Sequence, residues 1–591
     1  MNGVTSHTEP ANPTPVIITV TPPMNRDDRR RQIRAWNDVL VRTFAPAAIR
    51  FRRQLGRPGH VQRRRLRDLL ERAQGTAFGR AHGFAGIDNV ARFQSRVPIA
   101  TWDDIAPWAE RVANGELHVL TGERVRAIER SSGSTGARKD VPITDGLLRE
   151  FRAAVYPWMH DLLTRRPALQ EGSAYWAISP IVRKAARTVG GLPIGLDSDA
   201  AYLGPGARIP FASLLSAPSW VALLPDVATC RYVTARFLLA DRELALLSVW
   251  SPTFLSLLQD QWMRHSDRLI DDIAEGTLSP PGGLAEEIRS YAESETPWAF
   301  VPDPHRARQV KETGLEPKAI WPKLTLISAW TAGSSAGPAH DLADRFRGVE
   351  LQGKGLLATE GVVSIPILGT SGTAATGSVL AITSHFLELE AVELPGRPIH
   401  LADEARAGAL YSPLLTTGGG LYRYRLGDLV RVVGFEGRTP RVEFVGREDG
   451  RVDLAGEKLS PGFVASCFGA AARKAQITLR FEMLSPDSGD VPPHYLAAIE
   501  PRASLPVHVL TAFESALEAQ LRENPHYAWC RDLGQLGPVE VLSVRDGAAR
   551  YEARALSEGR RAGDLKPMPL VNSSGWRAWF LNDASERSDA P

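Results

Sequence analysis

Short apolar runs alternate with helix-period segments through much of the chain, and nothing else in the sequence restricts the fold as much. Ala174-Tyr175-Trp176-Ala177-Ile178, Leu244 to Trp250 and Leu324 to Trp330 are strand-length apolar runs, while Phe254 to Ile273 carries apolar residues at helical spacing. Buried strands separated by helices predict α/β layering rather than a helical bundle or a sandwich. A chain of 591 residues exceeds what one hydrophobic core serves, so two or more domains are expected. From about Arg451 the chain has its own strands, Gln476 to Phe481 and Tyr495 to Ile499, and a helix from Val507 to Leu521, enough for a small separate domain.

Apolar residues at 43% and charged residues at 23% place the chain among folded globular proteins. A net charge of +3 is small for this length and gives no reason to expect nucleic acid as the main partner. Cys230, Cys467 and Cys530 are odd in number and far apart, which offers neither a disulfide framework nor a zinc spacing and fits a reducing compartment. The first residues lack a basic-then-apolar leader, and no apolar run reaches the ~18–20 residues of a bilayer span. The expectations are a disordered tail over 1–25, a cytoplasmic location and no membrane partner.

Arg26 to Arg72 is arginine-rich, with Leu66, Leu69, Leu70 and Ala73 on one helical face. The arginines suit a solvated helix face better than an RNA or acidic-lipid surface, because Asp38, Asp68 and Glu71 are interspersed.

The chemistry concentrates in three clusters. Ser131-Ser132-Gly133-Ser134-Thr135-Gly136-Ala137-Arg138-Lys139 packs four hydroxyls, two glycines and two cations into nine residues. Glycines let several backbone N–H groups converge on one anion, and hydroxyls and a lysine add donors. The Walker spacing is absent, and on composition alone the stretch reads more readily as a surface turn than as a phosphate loop. A helix is expected to start at Asp145, capped by Thr144 or Asp145, several residues after Lys139. The second cluster, Gln352 to Gly361, contains Thr359 and Glu360. The third runs Tyr422-Arg423-Tyr424-Arg425-Leu426-Gly427-Asp428, then a strand to Phe435, a hairpin turn over Glu436 to Pro440, and Arg441 to Gly450 with Arg447. Strand alternation would put Arg423 and Arg425 on one face.

In order and content these clusters resemble the adenylate-forming superfamily, and within it the GH3 acyl acid–amido synthetases, as a divergent member. Phe78-Gly79-Arg80-Ala81-His82-Gly83-Phe84 and Asn524-Pro525-His526-Tyr527 add GH3-like texture. The resemblance covers about Leu66 to Leu570. It implies a large α/β N-terminal domain over 26–446 with mixed sheets and flanking helices, a hinge at 447–451, a small mobile α+β C-terminal domain over 452–575, and a polar tail over 576–591.

It also implies roles. Ser131, Ser132, Gly133, Ser134, Thr135 and Gly136 would hold ATP phosphates, with Lys139 supplying charge as pyrophosphate develops. Thr359 and Glu360 would serve the nucleotide and Mg2+, with Glu360 as the metal ligand, since Mg2+ favours one or two carboxylates plus phosphate oxygens. Asp428 would accept the ribose hydroxyls with its two oxygens, and Arg447 would reach ribose or phosphate. Lys566 loosely matches the C-terminal adenylation lysine. The sequence departs from the superfamily at Arg138 and Asp140, where many members have proline and glycine.

The implied reaction is ATP-dependent adenylation of a small carboxylic acid, followed by transfer of the acyl group to an amine, here an amino acid. Transfer to a thiol such as coenzyme A or a carrier-protein arm is the alternative, and a non-catalytic protein retaining the fold is a third reading. Neither the acid nor the oligomeric state is readable from the sequence.

Overall fold

The computed structural model describes residues 26–132, 138–177, 186–196, 200–224, 226–296, 300–369, 377–448, 450–487, 489, 491–557 and 568–582. The proposed N-terminal tail, Gly133 to Gly136 and Lys566 lie outside these residues.

The expected α/β layering is present. Four parallel strands, Ser173–Trp176, Leu244–Ser248, Leu326–Ala329 and Glu350–Gly353, pair in chain order. Leu244–Ser248 and Leu326–Ala329 are buried at every position, as strands covered on both faces must be. The helical run after Trp250 is broken into Pro252–Arg264 and Ser266–Glu275 rather than continuous to Ile273. The break falls at His265, whose φ of −109° and ψ of 24° leave the helical region.

A second, antiparallel sheet is built around Phe386–Ala391, Leu410–Thr416, Asp428–Glu436 and Thr439–Arg447. The last two strands form the predicted hairpin. Tyr424–Arg425 adds to Leu410–Thr416 as a two-residue strand. Arg423 does not continue it, because its φ of 48° is left-handed. The two arginines nonetheless meet glutamates that share one face of Phe386–Ala391. Arg423 Nε donates to both oxygens of Glu388 at 3.2 and 3.0 Å, and Arg425 grips Glu390 at 2.7 and 2.8 Å. Arg423, only 5% exposed, also donates to the carbonyls of Gln94 and Val97. These are framework contacts.

The arginine-rich segment forms Arg26–Gln54 and Pro58–Ala73, separated where Pro58 starts a new helix. Its arginines reach acids far along the chain, Arg30 to Glu243 just before the strand Leu244–Ser248 and Arg52 to Asp161 in the helix Asp145–Arg165, and so tie the first helix to both. In the aromatic texture around Phe78, the ring stacks on Tyr422 at 4.8 Å and on His82 at 4.0 Å. That segment is core packing.

The C-terminal residues fold on Leu479–Asp487, His494–Pro501 and Glu540–Ser543, covered by Pro461–Lys474, Val507–Leu521 and Pro525–Asp532, with a separate buried core. The stretch expected as a polar tail over 576–591 needs correction. Trp576–Leu581 is helical, and its i, i+4 pair Trp576 and Phe580 is buried against Phe481 and Tyr551. No helix among the described residues is long and apolar enough to cross a membrane.

Candidate active site

The serine- and glycine-rich stretch begins and ends in two paired strands. Val125–Ser132 and Arg138–Thr144 pair antiparallel with Ser131 opposite Lys139 and Ser132 opposite Arg138. The helix that follows starts at Asp145 with Thr144 as its cap, the Thr144 hydroxyl accepting the Leu147 N–H at 3.0 Å. The strand Arg138–Thr144 therefore separates the loop from the helix N-terminus. The Arg138-Lys139-Asp140 ending also gains a reason: Asp140 lies opposite Arg130 and accepts its Nε at 2.9 Å, bracing the hairpin across the strands.

Lys139 projects from the hairpin into a buried cluster and is 6% exposed. Its Nζ donates to Glu360 Oε1 at 3.1 Å and to the Tyr424 hydroxyl at 2.7 Å. Burial lowers the Lys139 ammonium from its ordinary value, opposed by the charge of Glu360. Burial pushes the Glu360 carboxyl upward, but Lys139 and then Lys458 outweigh it and hold the group below its ordinary value. The geometry supports an ionised pair, since each partner is the other's main charge.

Glu360 sits where a short chain reversal puts it. Leu357–Ala358 and Gly361–Val362 pair as a tight hairpin, leaving Thr359 and Glu360 as its two turn residues. The turn rests on His385, which is fully buried. His385 Nε2 accepts the Val362 N–H at 3.0 Å, and Nδ1 meets Glu150 at 2.8 Å. Glu150 is held in turn by Arg65 and the Gly418 N–H. A Cβ on Gly361 would lie 2.8 Å from His385 Nε2, so the residue after Glu360 has no room for a side chain.

Asp428 and Arg447 face each other across the predicted hairpin. They are direct register partners, with Arg447 donating to Asp428 Oδ1 at 2.6 Å and to the Leu426 carbonyl at 2.8 Å. Gly427, with φ of 80°, makes the bend that brings Asp428 into the strand.

One cleft collects these groups. Lys139, Glu360, Asp428 and Arg447 line it with Arg451 and Lys458, and Ala358 and Leu426 supply its apolar wall. Four cations against two carboxylates leave it positive. Ser131 and Ser132 end the strand at the cleft's hairpin; Thr359 is in the Glu360 turn but does not line the cleft.

The sequence reading missed Arg451, Lys458 and Tyr424. Arg451 and Lys458 become neighbours because Val452 and Leu459 exchange backbone hydrogen bonds at 2.9 and 2.8 Å. The turn between them is built on Glu457, which is fully buried and accepts the N–H groups of Leu454 at 2.6 Å and Ala455 at 2.7 Å and the hydroxyl of Tyr495. Lys458 follows with a left-handed φ of 50°, a conformation costing about 1 kcal/mol for a residue other than glycine. The only signal was Gly456-Glu457-Lys458 after the hinge; the Tyr-Arg alternation concealed Tyr424.

The described residues hold no group of three or more metal-binding side chains. Glu360 in a positive cleft fits a Mg2+ that arrives with a polyphosphate, since that ion needs few protein carboxylates.

A positive cleft at the meeting of a large α/β unit and a smaller α+β unit suits an anionic substrate such as a nucleotide. The chain belongs to the GH3 family: residues 47–351 match the GH3 family N-terminal domain, 379–447 the central domain and 467–575 the C-terminal domain. It is 25% identical to a probable indole-3-acetic acid-amido synthetase of Oryza sativa subsp. japonica, over 92% of this chain and 93% of the relative. It is 26% identical to a jasmonoyl–L-amino acid synthetase of Nicotiana attenuata, over 66% and 69%. Among solved structures, an acyl acid amido synthetase in complex with 2,4-DB matches with a TM-score of 0.62 at 20% identity, covering 90% of this chain and 95% of the other. A 2-hydroxyisobutyryl-CoA ligase in its thioesterification state matches at 0.52 and 13% identity, covering 88% and 91%, a likeness of fold.

Proposed function

We propose that this chain is an ATP-dependent acyl acid–amido synthetase, which joins a small carboxylic acid to an amino acid through an acyl-adenylate. The observation that carries the reading is the positive cleft in which Lys139, Arg447, Arg451 and Lys458 surround Glu360 and Asp428.

A carboxylate resists attack because its leaving group would be oxide. In the first half-reaction a carboxylate oxygen attacks the α-phosphorus of ATP, the bond to the β,γ-phosphates breaks, and pyrophosphate leaves. This step needs in-line positioning and charge stabilisation. Lys139 faces the developing pyrophosphate charge, with Ser131, Ser132, Gly133, Ser134, Thr135 and Gly136 as its phosphate loop. Tyr424 and Glu360 orient the Lys139 ammonium. Asp428 takes the ribose hydroxyls, with Arg447 steadying it, and Arg451 and Lys458 add charge from the C-terminal side. Glu360, with Thr359 beside it, would hold Mg2+, which supplies charge neutralisation to the phosphates when bound.

In the second half-reaction the amino nitrogen attacks the acyl carbon, the bond to AMP breaks, and the nitrogen loses a proton. Rotation of the 452–575 unit about 447–451 would exchange Lys458, and Lys566 in the first state, for the amine. The named relatives are acid–amino acid synthetases, whereas the likeness to a CoA ligase is one of fold. That difference favours an amine over a thiol.

The test is acid-dependent pyrophosphate release across a panel of carboxylic acids, repeated with each amino acid and with coenzyme A. Amide that appears only with an amino acid supports the reading; thioester without amide replaces it.

A further inference from the structure

The first helix, Arg26–Gln54, carries two kinds of arginine. Arg29, Arg30 and Arg52 reach back to Asp241, Glu243 and Asp161. Arg42, Arg50 and Arg53 are exposed and form no ion pair among the described residues. At about 3.6 residues per turn these three share one face with Val39, Pro46 and Ile49. That face is open: Val39 is 38% exposed and Ile49 48%. Asp38 stands only at the edge of the stripe, and Asp68 and Glu71 belong to the next helix, Pro58–Ala73. The acids interspersed in the sequence therefore leave this face without counter-charge.

The stripe ends at a corner, where the chain turns through Leu55 toward Pro58. The tip of the hairpin formed by Asp428–Glu436 and Thr439–Arg447 sits on that corner. The Leu55 carbonyl accepts the Arg438 N–H at 3.0 Å and the Thr439 hydroxyl at 2.9 Å. A Cβ on Gly437 would lie 3.0 Å from the same carbonyl oxygen. The tip adds Phe435, 42% exposed, and Arg438, while Arg57 joins from the helical side. Arg57 and Arg438 are also exposed and without an ion pair. The acid of the tip, Glu436, is buried and takes the Arg441 guanidinium at 2.8 Å.

A surface shaped only for solubility intersperses both signs of charge and keeps exposed aliphatic and phenyl side chains few. Here cations stand alone, interleaved with Val39, Ile49 and Phe435. An anionic lipid surface supplies what both parts lack: counter-charge for the guanidiniums and an apolar layer for the side chains between them. A single-stranded nucleic acid is gripped in a groove with several stacking rings, and one phenyl beside a helical ridge is no such groove. The same hairpin carries Asp428 and Arg447 at its other end. Strands of nine residues, at about 3.3 Å each, put that end about 25 Å away, so a contact through the tip leaves the cleft open.

We infer that the outer face of the first helix, with the hairpin tip beside it, is a docking surface for an anionic lipid membrane. Arg42, Arg50, Arg53, Arg57 and Arg438 lie over headgroup phosphates, and Val39, Ile49 and Phe435 enter the layer beneath them. The attachment is peripheral and reversible. It is independent of the acid-adenylating reading.

The experiment is co-sedimentation of the full chain with vesicles of phosphatidylcholine alone or with about 30% phosphatidylglycerol, at about 0.05 and 0.5 M salt. Wild type should bind the anionic vesicles, release about tenfold or more at high salt, and ignore phosphatidylcholine alone. Each arginine at such a surface contributes about fivefold, so Arg42→Gln with Arg50→Gln and Arg53→Gln should lose about a hundredfold in partition. Ile49→Ser should lose about threefold to tenfold by withdrawing an inserted side chain. A control with the same charge change at exposed arginines elsewhere, Arg264→Gln with Arg308→Gln and Arg347→Gln, should change partition by less than about threefold. No binding to anionic vesicles, equal binding to phosphatidylcholine alone, or equal loss in the control overturns the inference. So does an unchanged partition in the triple variant or in Ile49→Ser. Binding of a short poly(U) RNA without binding of vesicles replaces the lipid with a nucleic acid and overturns it too. If the triple variant does not fold, Ile49→Ser and Phe435→Ser decide, and an unchanged partition in both overturns it.

Discussion

The molecule buries two lysines in two different settings. Lys139 meets a carboxylate and a phenol in a cleft shared with three more cations, whereas Lys354 meets two hydroxyls and three indoles at the end of a parallel sheet. The first environment gathers four cations around two carboxylates, a balance that suits an anionic ligand. The second sets an ammonium against hydroxyls and indole faces. Same residue type, similar burial, different neighbours.

The largest effect that could break this contrast is at Lys139. Lys139→Ala should lower acid-dependent pyrophosphate release by about 10²–10³-fold, the scale of a lost transition-state donor. It should also destabilise the fold by about 3–5 kcal/mol, because Glu360 is left buried without its partner. Lys139→Met with Glu360→Gln should restore much of the melting temperature and none of the activity. Recovery of both would reduce the pair to framework.

Next comes Lys458. Lys458→Ala should cost about 10–100-fold in adenylation, roughly one charge-assisted contact, and little stability, since a left-handed lysine is no anchor. Single-turnover assays would separate it from the second half-reaction; equal loss in both would show that it serves no one state.

His385→Leu removes the acceptor of the Val362 N–H beneath Glu360. The expected result is a rise of about threefold to tenfold in KM for ATP, with kcat less affected, consistent with losing a positioning contact. A pure loss of stability with unchanged KM would separate His385 from the site.

The smallest effect is on pH dependence. Burial, then the charge of Asp453, pushes the Glu457 carboxyl up to about 7 from an ordinary 4.5. The folded state thus binds a proton that the unfolded chain releases, so this contribution is full below 4.5 and is lost as pH rises through about 7. Melting temperature should fall over that window, and Glu457→Gln should flatten the slope; an unchanged slope would remove Glu457 from the account.

How legible each part was follows from how local its causes are. Asp428 and Arg447 were readable because a hairpin fixes their register within twenty residues. Glu360 was readable because a two-residue turn carries it into the cleft. Arg423 and Arg425 gave half an answer: their shared direction survives, but a left-handed backbone at Arg423 breaks the strand, and Glu388 and Glu390 come from a strand 35 residues earlier. Lys458 depends on a turn held by buried Glu457, and the Lys354 cage draws Trp158, Trp176 and Trp250 together across parallel crossovers. No periodicity within either segment announces such contacts. The helix at Trp576–Leu581 escaped because one i, i+4 aromatic pair is too short a pattern to distinguish from a tail.

The most direct test of the central claim is a product analysis of the full chain with ATP, Mg2+, a carboxylic acid panel and amino acids. The account predicts AMP and pyrophosphate in step with acid, and amide only when an amino acid is added. Release of ADP and phosphate, or thioester with coenzyme A and no amide, would contradict it.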